Sequence, residues 1–205
     1  MYIPHHFRNE NLDEVKAFLR ANAFGILLTQ QDNRILGSHI PLELEQDADG
    51  HEVFYGHVSK ANTQWRSFSD QDVLMIFNGP HAYVSSGWYG HDNVPTWNYV
   101  AVHVYGRLIP LEKEELLHSL DRLMHKYEQH EAEPLAMGDL STETMRQVKG
   151  IIGFKVLPTE IQAAYKLSQN RNSEDYHNVI KKLSDKGEPR SQGVAEQMKK
   201  NRSDH

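Results

Sequence analysis

Val94-Pro95-Thr96-Trp97-Asn98-Tyr99-Val100-Ala101-Val102-His103-Val104-Tyr105-Gly106 joins an aromatic and amide cluster to an alternating run. In an extended chain successive side chains point to opposite faces. Trp97, Tyr99, Ala101, His103 and Tyr105 therefore share one face, and Asn98, Val100, Val102 and Val104 the other. The stretch is a strand with an aliphatic face and an aromatic face carrying polar tips. Such a surface suits a planar heteroaromatic ligand, because Trp and Tyr offer π faces while Asn98 and the hydroxyls orient it. It equally describes a core strand in an aromatic-rich sheet.

Before this strand, short strands alternate with brief helices. Asn11-Leu12-Asp13-Glu14 fits a helix cap followed by a glutamate, and predicts a helix from about Leu12 to Asn22 with Leu12, Val15, Phe18 and Leu19 as its apolar stripe. Strands are expected at Phe24 to Thr29, Ile35 to Leu44, Glu52 to Val58, Val73 to Phe77 and His81 to Ser85, with a turn at Asp32-Asn33 and a short helix from Lys60 to Phe68. Strands this short and closely spaced favour a barrel or sandwich over a doubly wound parallel sheet. After it, Glu112 to Glu131 predicts an amphipathic helix, Ser141 opens a shorter one, and Ile151 to Tyr165 is a last strand interrupted near Pro158. The class is mainly β (α+β), with one domain over 1–183. Beyond Leu183 large apolar residues almost vanish, which predicts a polar, mobile tail over 184–205.

Composition narrows the function. With 205 residues and 39% hydrophobic content the chain can fill one core, and no run approaches the roughly 20 apolar residues that span a bilayer. Met1-Tyr2-Ile3-Pro4-His5-His6-Phe7 contains no apolar leader, so a cytoplasmic location is expected. Zero cysteines exclude disulfides and thiol chemistry. The net charge of −6 argues against coating nucleic acid with the whole surface, so any DNA contact must be local. Between Lys181 and Arg202 the chain is locally basic, with a net charge of +4. The 13 histidines include no His-Glu-x-x-His, and no metal site is expected. Glu114 with His118 and Asp121 with His125 are four apart, as helix-stabilising pairs are.

Three clusters carry the remaining chemistry. His57, Ser59, Lys60 and Asn62 stand where a strand end meets a helix start, which suits either a phosphate or a simple cap with a solvated lysine. Lys166-Leu167-Ser168-Gln169-Asn170-Arg171 is a second polar cluster that could also cap the following helix, and His39-Ile40-Pro41-Leu42 places a histidine on a strand.

In order, Met1-Tyr2-Ile3-Pro4-x-x-Phe7, His39-Ile40-Pro41-Leu42, Gly56 to Trp65, Gly79 to Ser85 with Trp88-Tyr89, Val94 to Tyr99, and Lys166 to Arg171 resemble the PaiB-type, FMN-binding negative transcriptional regulators over nearly the whole chain. One departure is Ser86-Gly87 ahead of Trp88, where Ser-Pro is expected. The resemblance implies an FMN-binding split β-barrel with flanking helices, a homodimer with flavin at the subunit boundary, and control of sporulation and extracellular protease production. It places His39, Ile40, Pro41 and Leu42 along the isoalloxazine and His57, Ser59, Lys60 and Asn62 near the phosphate. It also assigns Trp97, Asn98 and Tyr99 to the partner subunit's side of the flavin, and Lys166, Ser168 and Gln169 to the cofactor. Two function classes stay open: a regulator, against which stand the acidic charge and the missing helix-turn-helix, and a flavin oxidoreductase, for which no proton donor stands out.

Overall fold

Asp32 and Asn33 both adopt left-handed dihedrals, with φ of 49° and 61°, the conformation a two-residue hairpin turn demands and Asn and Asp tolerate. They fold strand β1 (Phe24–Gln31) back as β2 (Arg34–Pro41), with Gln31 opposite Arg34 and Phe24 opposite Pro41. This computed structural model describes residues 1–68 and 72–203. The remaining strands are β3 (Glu43–Gln46), β4 (Glu52–Ser59), β5 (Asp72–Val84), β6 (Thr96–Pro110) and β7 (Ile151–Lys166). The helices are α1 (Leu12–Ala21), α2 (Lys113–Glu128), α3 (Thr142–Met145), α4 (Ser173–Asp185) and α5 (Pro189–Ser203). The seven strands form one sheet in the order β2-β1-β5-β6-β7-β4-β3, antiparallel at β1 with β2 and β5, β3 with β4 and β4 with β7. The expected mainly-β class with flanking helices is what the chain adopts. No helix among the described residues is long and apolar enough to cross a membrane.

The chain divides into two compact units, one of residues 1–17, 77–103 and 162–205, the other of 18–76 and 104–161. In the second, Leu42 ends β2: its amide donates to the Ala23 carbonyl at 2.8 Å and its side chain is fully buried. The expected strand from Ile35 to Leu44 is thereby split into β2 and β3. Beside it, Gly56 on β4 is where only glycine fits, since a Cβ would stand 2.6 Å from the Phe154 ring. The core of this unit is Leu27, Leu42, Phe54, Met75, Phe154 and Val156.

In the first unit the predicted alternation of β6 is observed: Asn98, Val100 and Val102 are buried, while Tyr99, Ala101 and His103 are half-buried and Trp97 is exposed. The expected mobile tail is instead largely helical. Ser191, Val194, Ala195 and Met198 are buried at helical spacing, and Gly193 lies so close to Pro80 that a Cβ would come within 3.0 Å of that ring. Only a few apolar residues, Met198 the largest, seal α5, and Gly193 lets it approach Pro80 closely, which is why its composition looks like that of a tail. β5 runs through Asn78-Gly79-Pro80 and β7 through Pro158 without a break, because proline accepts extended dihedrals and loses only a donor. Where Lys60 to Phe68 is expected to be helical, the chain forms a 3-10 turn at Thr63–Ser67.

Candidate functional site

The sequence-predicted residues gather in two places, one in each unit. In the unit of residues 18–76 and 104–161, β2 is the terminal strand of the sheet, so among the described residues one side of its backbone pairs with no other strand. Along it His39 is exposed, Ile40 and Pro41 are half-buried and Leu42 is sealed into the core. The end of β4 presents His57, half-buried, and Ser59 and Lys60, exposed.

Asn62 ties these two segments together. Its Nδ2 donates to Ser38 Oγ at 2.7 Å, and its Oδ1 accepts from the Gln64 amide at 3.1 Å. Ser38 Oγ donates in turn to Gln64 Oε1 at 2.5 Å, while Gln64 Nε2 faces the Leu27 carbonyl, Thr29 Oγ1 and the Leu36 carbonyl at 3.2, 3.1 and 3.4 Å. Gln64 is only 2% exposed, so its amide is a buried polar group fully met by partners. Sequence reasoning missed Ser38 and Gln64 as positioning residues. The available signal was a glutamine two residues after Asn62 inside the same motif.

The phosphate reading of this cluster changes in detail. The Thr63–Ser67 turn has five residues, and Asn62 already answers one of its amides, so no helix dipole of useful length points outward. Ser59 Oγ accepts from the Ala61 amide at 3.2 Å, and the Lys60 carbonyl accepts from Trp65 Nε1 at 2.9 Å. What remains for an anion is the Lys60 ammonium, which forms no ion pair among the described residues, and the Ser59 hydroxyl proton. Burial lowers the pKa of His57 below its ordinary 6.5, so the imidazole is neutral at neutral pH. With Pro41 and Gly56 it lines a narrow recess against Ser119, Leu120 and Leu123 of α2.

In the unit of residues 1–17, 77–103 and 162–205, Trp97 is 53% exposed and meets Tyr83 edge-on at 6.0 Å between ring centroids, with His81 at 6.3 Å. Asn98 points the other way. It is fully buried, and its Nδ2 lies 2.9 Å from Ser168 Oγ and 3.5 Å from Met198 Sδ. Gln169 is turned back on its own chain, with Oε1 accepting from the Leu167 amide at 2.8 Å and Nε2 donating to the Tyr165 carbonyl. Lys166 Nζ donates to Thr96 Oγ1 at 2.5 Å. Of the residues expected here, Trp97, Tyr99 and Lys166 keep some exposure, whereas Asn98 and Ser168 are buried and join β6 to the turn after β7.

Two cavities, of about 590 and 560 Å³, run along α2 and contain none of the sequence-predicted site residues. Asp47, Asp49 and His51 bring ligand-type atoms within 4.8 Å of one another, but Asp47 Oδ1 accepts from the Asp49 and His51 amides and so closes its own turn.

Residues 1–160 match the family described as "Putative FMN-binding domain". The chain is 45% identical to the protease synthase and sporulation protein PAI 2 of Bacillus subtilis strain 168, over 97% of this chain and 96% of that one. Its fold is similar to that of the flavocytochrome Anf3 of Azotobacter vinelandii, with a TM-score of 0.63 at 16% identity, covering 84% of this chain and 76% of that one. It is equally similar to the FAD and heme binding protein of Mycobacterium smegmatis, with a TM-score of 0.63 at 9% identity, covering 83% and 78%. At such identities the likeness is one of fold, that of the split β-barrel.

Proposed function

The chain belongs to the FMN-binding domain family, and from that premise we propose that it is an FMN-binding negative transcriptional regulator of extracellular protease production and sporulation. The observation that carries the flavin site is the lock of Asn62, Ser38 and Gln64, which holds the free edge of β2 beside the end of β4. This arrangement fits FMN. A terminal strand offers the backbone groups of alternate residues along His39, Ile40 and Pro41 to the polar edge of a flavin ring, with Leu42 anchoring the strand in the core. Lys60 and Ser59 offer charge and a hydroxyl to the phosphate, and His57, kept neutral, backs Pro41. Bound FMN supplies a redox-active ring.

The chain works as a homodimer in this reading, with Trp97 and Tyr99 of the second copy covering the flavin. Asn98, Ser168 and Gln169 act behind them by holding β6 and the Lys166 turn in place. Replacing Ser59 and Lys60 together by Ala should weaken FMN at least about tenfold, the cost of a charge-assisted contact, and leave riboflavin nearly unchanged. Flavin fluorescence quenching measures both. Equal losses for the two ligands would remove the phosphate assignment.

DNA contact belongs, on this proposal, to the α4 and α5 pair, where Lys181, Lys182, Lys186, Arg190 and Lys200 are exposed. Helices that carry cations bind phosphates without reading bases, and a dimer doubles the contact. Changing Lys181, Lys182 and Lys200 to Gln should weaken binding to a protease-gene promoter fragment and flatten its salt dependence, with flavin binding intact. Unchanged affinity and slope would refute this surface.

A further inference from the structure

The end of β7 and the turn after it hold two cations that no carboxylate among the described residues neutralises. Lys166 and Arg171 are both half-buried, and neither pairs with a carboxylate among the described residues. Lys166 donates to Thr96 Oγ1 and stands 5.8 Å from the centre of the Phe7 ring. The guanidinium carbon of Arg171 lies 4.9 Å from the centre of the Tyr89 ring, a cation–π contact that does not use up its N–H donors. Burial, and then the charge of Arg171, lower the pKa of Lys166 below its ordinary value. The neighbouring carboxylate is already committed: Asp175 accepts from the Gly90 amide at 2.7 Å, from Asn172 Nδ2 at 2.8 Å, and faces His91 Nδ1 at 3.2 Å. Tyr89 itself is 8% exposed, and its buried hydroxyl has no partner among the described residues.

Two half-buried positive charges without a counter-charge are less well solvated than exposed ones, and an anion that joins them relieves that cost. We propose that Lys166, Arg171 and the Thr96 hydroxyl form a binding site for the phosphate group of a small phosphorylated ligand, separate from the flavin phosphate. A phosphate monoester carries close to two negative charges at neutral pH and so matches two cations, where a carboxylate would answer only one. The donor chemistry suits it. An arginine edge takes two phosphate oxygens at once, the lysine keeps two N–H groups beyond the one given to Thr96, and the Thr96 hydroxyl, having accepted from lysine, still has a proton to donate. All these residues lie in the unit of residues 1–17, 77–103 and 162–205, whereas Ser59 and Lys60 lie in the other. The inference rests on the flavin reading in one respect: it takes Lys166, which the resemblance assigns to the cofactor, for a second phosphate, while Ser59 and Lys60 hold that of the flavin.

The full-length protein as purified is titrated with inorganic phosphate by calorimetry, alongside Arg171→Met and Lys166→Met. Saturable binding that each variant weakens at least about tenfold supports the site. Absence of saturation in the wild type, or equal affinity in Arg171→Met, overturns it and leaves at most an adventitious ion. FMN and riboflavin affinities of Arg171→Met then separate the sources. Unchanged FMN affinity supports a second phosphorylated ligand; weaker FMN with unchanged riboflavin assigns the cluster to the flavin's own phosphate and overturns the separate site. Should the variants fold poorly, reductive methylation of wild-type Lys166, followed by mass spectrometry, gives an independent reading. Several-fold protection of Lys166 by phosphate supports the proposal, and identical rates with and without phosphate overturn it.

Discussion

His57 shows how one residue can be legible in type and not in role. Its place in the strand-end motif is visible in the sequence, but its protonation is set by packing against α2 and Pro41. Burial lowers its pKa in the fold, so the unfolded chain takes up a proton near the ordinary 6.5 while the folded chain does not. The stability that follows is present above about pH 6.5 and is lost as pH falls toward the lowered value. His103 is shifted in the same direction, first by burial and then by the N-terminal ammonium, and contributes with the same sign. His57→Gln should therefore show a shallower stability loss between pH 7.5 and 5.5 in urea unfolding, with part of the slope remaining from His103. A slope equal to that of the wild type would show that His57 titrates freely.

At the scale of elements, α2 is tied to its neighbours by ion pairs as well as by its apolar face. Glu43, with a side chain 6% exposed, accepts from Lys126 Nζ at 2.6 Å and from the Tyr127 hydroxyl at 2.7 Å; Glu45 pairs with Arg122, and Glu115 with Lys155 at 2.8 Å. Burial and the Glu43 carboxylate push the Tyr127 hydroxyl up to about 12, in keeping with a proton held between them. Lys126→Met strands the Glu43 charge. Because Lys126 itself is partly exposed, the cost should be about 2 kcal/mol rather than that of a fully buried pair. The double variant Glu43→Gln with Lys126→Met should recover much of this in a denaturation cycle, and additive losses would mean the two groups do not act together. Helix α5 carries a different lesson. Truncation after Leu183 would remove the fully buried Met198 and the 2.6 Å bond from the Tyr176 hydroxyl to its carbonyl. Charge substitutions, and not truncation, are the sound test of DNA contact.

For the whole molecule, exposed aromatic surface argues for a second copy. Trp97 and Tyr83 are 53% and 42% exposed, adjacent, and on the face the flavin reading assigns to the dimer. Light scattering at micromolar concentration should give a particle of twice 23.7 kDa, and Trp97→Ala with Tyr83→Ala should shift it toward the monomer and weaken flavin binding. A wild-type particle of 23.7 kDa would refute the dimer.

The alternation from Trp97 to Tyr105, the Asp32-Asn33 turn, the α2 stripe and the ordered motifs determined the mainly-β class and the family from sequence alone, because period, turn dihedrals and local motifs are properties of neighbouring residues. The sequence also named His57, Ser59, Lys60 and Asn62 together, since they share one strand end. Only the tertiary structure decided that Ser38 and Gln64 lock this segment to β2, that Asn98 faces Ser168 in the core, and that one face of α5 is buried. Each of these depends on partners distant along the chain, brought within hydrogen-bonding or van der Waals reach by the sheet. Burial and pairing at such distances leave no local pattern to read.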